Sequence, residues 1–209
     1  MPVIAVCIGA IGSGKTTLLR KLQDTTDEES EPLPTVGINH FNAAVSQSQD
    51  QLPERDSISR CFSVFASAFK KEAHKQTLTI REFGGALAPA WTNYLTGIFD
   101  NKEETVGIIY VIDVSTTAKI SEVGVHLIDI VEFIERQKTE TKVLIVFSKV
   151  DLVERSCKDR ILCEARSLLR LSYLTSWCKY CQIDQVDYSC ITEQGITTIR
   201  NWCNSLYYP

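Results

Sequence analysis

Three stretches of the chain are apolar almost without a break: VIAVCI at 3–8, VGIIYVIDV at 106–114 and KVLIVF at 142–147. A strand covered on both faces reads this way, because odd and even side chains alike meet the core. TLTIREFGG at 77–85 alternates instead, as a half-buried strand does, and ends in a glycine pair; QVDYSC at 185–190 reads as a shorter strand. Between these runs the spacing changes to that of helices. Leu18, Leu19 and Leu22 share one face, as do Ile120, Val123, Leu127, Val131 and Ile134, while a helix is expected near 157–171 and a last one carries Ile196, Ile199, Cys203 and Leu206. Trp91 and Tyr94 in PAWTNYL also stand at helical spacing and suit packing or a partner surface. Strands alternating with helices predict a three-layer α/β domain.

Two polar segments interrupt the pattern. DTTDEESE at 24–31 reads as a solvated loop, and residues 46–76 read as an insertion between two strands, with CFSVFASAF in it suiting an edge strand or a short helix equally well. Each doubling of a loop costs only about 0.6 kcal/mol in closure entropy, so an insertion leaves the rest as a single domain over 1–209.

The chain has 209 residues, 44% of them hydrophobic, which suits one well-buried domain. Its 22 basic and 26 acidic side chains give a formal charge of -4, which offers no footprint for nucleic acid. MPVIAV has no basic n-region and puts Pro2 where myristoylation needs glycine, and SLYYP lacks a prenylation box. The expectation is a soluble, cytoplasmic chain with no lipid anchor. The 8 cysteines then read as reduced, mostly buried thiols, and Cys178 and Cys181 form a C-x-x-C with no second pair or nearby histidine pair to make a metal site.

Candidate chemistry begins directly after the first apolar run. GAIGSGKT at 9–16 fits G-x-x-x-x-G-K-[ST], a loop whose backbone amides wrap a polyphosphate. Gly9, Gly12 and Gly14 let the backbone approach phosphate oxygens, Lys15 supplies a point charge, and Thr16 is a hard oxygen ligand for Mg²⁺. Ile11, Ser13 and Thr17 complete the candidate phosphate-binding set. The helix that opens here turns its free N–H groups toward the same anion.

Further candidates recur at the ends of later strands. Thr35, set between Pro34 and Gly37, is a possible second Mg²⁺ ligand held only while an outer phosphate orders its loop. Glu82 can reach Mg²⁺, and the bare N–H of Gly85 can sense a terminal phosphate. After KVLIVF comes SKVD, where Asp151 can accept both hydrogen bonds from the N1–H and N2–H₂ edge of guanine while the Lys149 stem covers the base. Paired bonds of that kind reject a wrong base by about 10⁴ or more. Ser189 and Cys190 offer backbone N–H groups near the base carbonyl.

In order, GAIGSGKT, PTVG, REFGG, SKVD and SC resemble the five nucleotide-binding motifs of small GTPases, and the GG pair followed by PAW and Tyr94 resembles the ADP-ribosylation-factor-like branch. The resemblance covers nearly the whole chain except 46–76. It implies a P-loop NTPase (small GTPase) fold with a mostly parallel six-stranded sheet and helices on both faces. It further implies a monomeric switch that binds GTP or GDP with Mg²⁺ and recruits protein effectors in the GTP state. The roles it carries over are Lys15 on the phosphates, Thr16 and Thr35 on Mg²⁺, Gly85 on the γ-phosphate, Ser148, Lys149 and Asp151 on guanine, and Cys190 through its backbone.

The departures from that pattern shape the expectation further. Ala86 stands where the family carries the glutamine that orients the attacking water, so hydrolysis is expected to be slow. Ile11 puts bulk where an arginine finger would enter. Glu82 replaces aspartate and is one methylene longer, so its water-mediated reach to Mg²⁺ must be rearranged. Ser148 replaces asparagine or threonine and weakens the expected tie between base loop and phosphate loop. The family's N-terminal glycine and amphipathic helix are missing. Two alternatives stay open: a small ATP-dependent kinase, which would need an arginine-bearing lid and an acceptor pocket, and a scaffold that binds no nucleotide.

Overall fold

The computed structural model describes residues 3–23, 33–45, 76–101 and 105–207. Strand β1 (Val3–Gly9) is buried along its whole length, as an uninterrupted apolar run requires. It lies between β3 (Gln76–Phe83) and β4 (Thr105–Asp113), and the 6-stranded sheet continues outward to β2 (Ile38–Val45) on one side and to β5 (Thr141–Ser148) and β6 (Cys181–Asp187) on the other. Every neighbouring pair is parallel except β2 with β3. This is the mostly parallel sheet that the resemblance implied.

Helices cover both faces. Against one face lie α1 (Lys15–Leu22) and α6 (Ile196–Ser205), whose Leu18, Leu19, Ile199 and Trp202 pack on Ala5, Cys7, Ile109 and Val146. Against the other lie α2 (Trp91–Phe99), α3 (Ile120–Gln137), α4 (Lys158–Leu168) and α5 (Leu171–Trp177), packed on Val6, Ile8, Ile108, Tyr110 and Ile145. The alternation of sides along β1, β4 and β5 explains why each reads as continuously apolar: its odd and even positions enter two separate cores. Among the described residues no helix is long and apolar enough to cross a membrane.

Four details differ from the sequence reading. The helix expected over 157–171 is two, because Arg170 takes a left-handed φ of 52° between α4 and α5, and the second helix runs on to Trp177. The strand expected at 185–190 begins earlier, at Cys181, and ends at Asp187. Gln76 opens β3, while the rest of the insertion expected over 46–76 and the loop at 24–31 lie outside the described residues. Of the described cysteines only Cys7, Cys181 and Cys203 are buried, so burial of the thiols is less general than expected; all of them are free.

Strand register brings the candidate residues to one edge. In the parallel pairs Cys7 stands beside Glu82, Gly9 beside Val111 and Asp113 beside Ser148. The carboxyl ends of β1, β3, β4 and β5 therefore open onto a common crevice, the place where ligands bind in open α/β sheets.

Candidate nucleotide-binding site

The turn from β1 to α1 supplies the floor of that crevice. Gly9, Gly12 and Gly14 all take positive φ, which lets Ala10 to Gly14 curl back over the helix N-terminus. Lys15 is buried inside this curl, its Nζ donating to the carbonyls of Gly9 at 3.0 Å and Ala10 at 2.9 Å. Burial holds its amine below the ordinary lysine value, with Cys7 and Glu82 pulling it back up. A buried cation that leans on backbone carbonyls is poised to meet an anion, since phosphate oxygens satisfy it better than amide oxygens do. Ser13 is buried as well, and its Oγ has no hydrogen-bond partner. Ile11 is exposed at the rim, and Thr17 is half-buried in the first turn of α1.

Three oxygens converge beside Lys15. The Thr16 hydroxyl donates to Glu82 Oε1 at 2.6 Å, the Thr35 hydroxyl donates to the same oxygen at 3.1 Å, and the two hydroxyl oxygens lie 3.2 Å apart. Glu82 is fully buried, and its second oxygen, Oε2, has no hydrogen-bond partner. An unmatched oxygen on a fully buried acid is costly, and a hard cation is the species that two hydroxyls and a carboxylate would suit. Thr16, Thr35 and Glu82 therefore fit a divalent metal.

The glycine pair locks these segments together. A Cβ on Gly84 would sit 2.4 Å from the Thr35 carbonyl oxygen, and one on Gly85 would sit 2.3 Å from the backbone nitrogen of Ile11. Gly84 also donates its N–H to Gly37 O at 2.9 Å, and its carbonyl accepts from Trp91 Nε1 at 3.4 Å. Only a residue without a side chain allows the end of β3 to lie in contact with both the Thr35 segment and the phosphate loop. Ala86, next in the tight turn that leads to α2, is exposed.

The far end of the crevice is built by β5 and β6. Ser148 is buried at the end of β5, and its Oγ lies 2.6 Å from Ser13 O and 3.0 Å from Ile112 O. The tie from this strand to the phosphate loop is therefore present with serine in place of the longer side chains. Lys149 follows with a left-handed φ of 61°, and its Nζ pairs with Asp113 Oδ2 at 2.6 Å. Asp113 is the residue that sequence reasoning missed: an acid closing an apolar strand run, it fixes the direction of the lysine stem. Burial pushes its carboxyl up, but hydrogen bonds from Lys149 and Ser115 outweigh this and hold it below the usual carboxylate range.

Asp151 is exposed in the short turn after Lys149. That turn is held by the Val150 N–H on the carbonyl of Tyr188, so β6 supports it from behind. Ser189 is buried, with its own N–H given to Gln194 O at 3.2 Å and its Oγ accepting from Ile191 and Thr192. It shapes the loop and leaves half-buried Cys190 next to it. The arrangement as a whole is a polyphosphate cradle at the head of a parallel sheet, tied through Ser148 to a second loop that carries an acid, which defines a P-loop nucleotide-binding protein.

Comparison with known proteins narrows the class. The model of the ADP-ribosylation factor family matches residues 68–206, and the chain belongs to that family of small GTPases. It is 25% identical over 212 residues to ADP-ribosylation factor-like protein 16 of Homo sapiens, covering 98% of this chain and 86% of that protein. Its fold is similar to that of the Arl6 BBS3 small GTPase from Trypanosoma brucei with the bound nucleotide analogue GppNp, at a TM-score of 0.64 and 17% identity, covering 98% and 96% of the two chains. It is similar also to the mammalian SRP receptor, at a TM-score of 0.63 and 13% identity over 97% of this chain and 99% of the other. The family match begins beyond residues 9–16, which the similarity to ADP-ribosylation factor-like protein 16 reaches.

Proposed function

We propose that this chain is a guanine-nucleotide switch that binds GTP and GDP with Mg²⁺ and recruits a protein effector in the GTP form. The supporting observation is the convergence of Thr16, Thr35 and Glu82 beside buried Lys15, at the mouth of a loop that Ser148 ties to the segment carrying Asp151. In this reading Gly9, Ile11, Gly12, Ser13, Gly14 and Thr17 line the phosphates, Lys15 takes their outer oxygens, and Gly85 senses the γ-phosphate. Asp151 reads the guanine edge, Lys149 covers the base, and Ser189 and Cys190 form the loop at its carbonyl. Bound Mg²⁺ would supply charge neutralisation between the outer phosphates.

The segments around Thr35 and Gly85 meet through the Gly84 contacts, the three-oxygen cluster and the β2–β3 pairing that starts at Ile38 and Phe83, so a γ-phosphate that engages both would hold them in one surface. That surface carries exposed Ile11, Leu33, Val36 and Tyr94, apolar groups of the kind a protein effector covers. With Ala86 where a glutamine would position water, hydrolysis is slow and exchange controls the cycle. The test is to denature freshly purified protein and identify the released nucleotide by chromatography, with fluorescent-GDP titration alongside. Guanine nucleotide from the wild type and none from Lys15→Ala is expected; adenine nucleotide, or unchanged binding by the variant, would overturn the reading.

A further inference from the structure

The cluster around Glu82 holds more short contacts than its protons can serve. Three oxygen pairs lie at 2.6, 3.1 and 3.2 Å, yet two threonine hydroxyls supply only two protons to serve them, and either hydroxyl could be the donor in the pair they form with each other. One of the three contacts is thus left without a proton of its own. Mg²⁺ binds oxygen octahedrally at about 2.0–2.1 Å, so adjacent ligand oxygens sit about 2.9 Å apart. The three separations found here scatter about that edge length. The triangle therefore has the dimensions of one face of a magnesium octahedron, and the carboxylate that completes it is fully buried with its second oxygen unpartnered.

We infer that Glu82 is a direct ligand of the divalent cation, taking through its extra methylene the place that a water would occupy beneath a shorter acid. This deepens the proposed function and rests on it. An aspartate at this backbone position would fall short by one methylene, about 1.5 Å, and would need a water to bridge the gap. Thr16 and the charged Glu82 would then still hold the cation when the γ-phosphate leaves and the Thr35 loop is released.

The experiment uses the full chain loaded with a non-hydrolysable GTP analogue and with Mn²⁺ as the probe. Broadening of the Mn²⁺ electron-paramagnetic-resonance lines by ¹⁷O-water counts the coordinated waters. Glu82→Asp is expected to show one more water than the wild type, with Mn²⁺ affinity lower on the order of 10-fold. In wild-type protein labelled with ¹³C at its glutamate carboxyls, a ¹³C hyperfine coupling to Mn²⁺ is expected, and this measurement needs no variant to fold. Nucleotide bound with equal water counts and no ¹³C coupling would overturn direct ligation while leaving the switch reading in place. Failure of the wild type to bind guanine nucleotide at all would overturn both.

Discussion

Replacing Gly85 with alanine tests the proposal that its N–H senses a terminal phosphate. The added Cβ would lie 2.3 Å from the Ile11 nitrogen, 2.6 Å from the Ala10 carbonyl carbon and 2.8 Å from the Ile11 Cα, all of it backbone. Ordinary contact begins near 3.4 Å, so the end of β3 and the phosphate loop must separate by about 1 Å. A hydrogen bond of about 2.9 Å from the Gly85 N–H to a phosphate oxygen would then stretch beyond the roughly 3.5 Å at which it is lost. Losing a hydrogen bond to a charged group costs about 1.5–3 kcal/mol, or about 10- to 150-fold in affinity. GDP does not reach that position and keeps its affinity within about 3-fold. Titration of fluorescent GDP and of a fluorescent non-hydrolysable GTP analogue, in wild type and variant, reads the two effects separately. An equal loss for both nucleotides would show that Gly85 merely props up the phosphate loop, and no loss for either would show that it does not face the γ-phosphate.

Other substitutions test the remaining parts. Ala86→Gln is expected to raise single-turnover hydrolysis of GTP by about 10-fold or more, measured as phosphate release, because a group able to orient water is restored at an exposed turn. Asp151→Asn converts an acceptor of two hydrogen bonds into one acceptor and one donor, so GTP binding falls by about 10²-fold or more and binding of xanthosine triphosphate, whose edge has the matching pattern, appears in a competition assay. Gly195→Ala tests the fold alone: φ there is 83° and a Cβ would stand 2.3 Å from Asp187 O, so a loss of about 2 kcal/mol and a fall in Tm of about 4–8 °C are expected by thermal unfolding.

What could be read from the residues depended on how locally each feature is encoded. The strands β1, β4 and β5 were legible because both their faces are buried and no other short element is continuously apolar. Strand β2 was not placed by its pattern, since INHFNAAV begins with three exposed residues and buries only Phe41, Ala43 and Val45, with alanine and asparagine diluting the alternation between them. The break at Arg170 left no trace because a left-handed arginine carries none of the glycine or asparagine signature of such a turn. At the site the phosphate loop is contiguous and announced itself. The ties that complete the crevice span much longer separations, 66 residues from Thr16 to Glu82, 36 from Asp113 to Lys149 and 135 from Ser13 to Ser148. Such pairings are set by strand order, which the apolar runs alone do not specify.

Glu82 and Ala86 lie four positions apart on one segment, and their effects on the cycle point the same way. Placed directly on the cation, Glu82 would slow loss of the metal and with it loss of nucleotide, since the metal screens the phosphate charge that Lys15 meets alone in its absence. Alanine in place of a water-positioning side chain would slow the exit by hydrolysis. Under the proposed function, a switch slowed in both exits would sit in whichever nucleotide state it last acquired, and an outside factor would have to open it. Such a factor would find the most exposed hold on the Thr35 segment. The Thr35 segment is fastened by one hydroxyl on Glu82 and by Gly37 on Gly84, and its neighbours Leu33 and Val36 are 86% and 95% exposed. Under the proposed function, a factor that drew on those two side chains would part Thr35 from Thr16 and Glu82, the residues that would hold the metal, before it disturbed the buried strands.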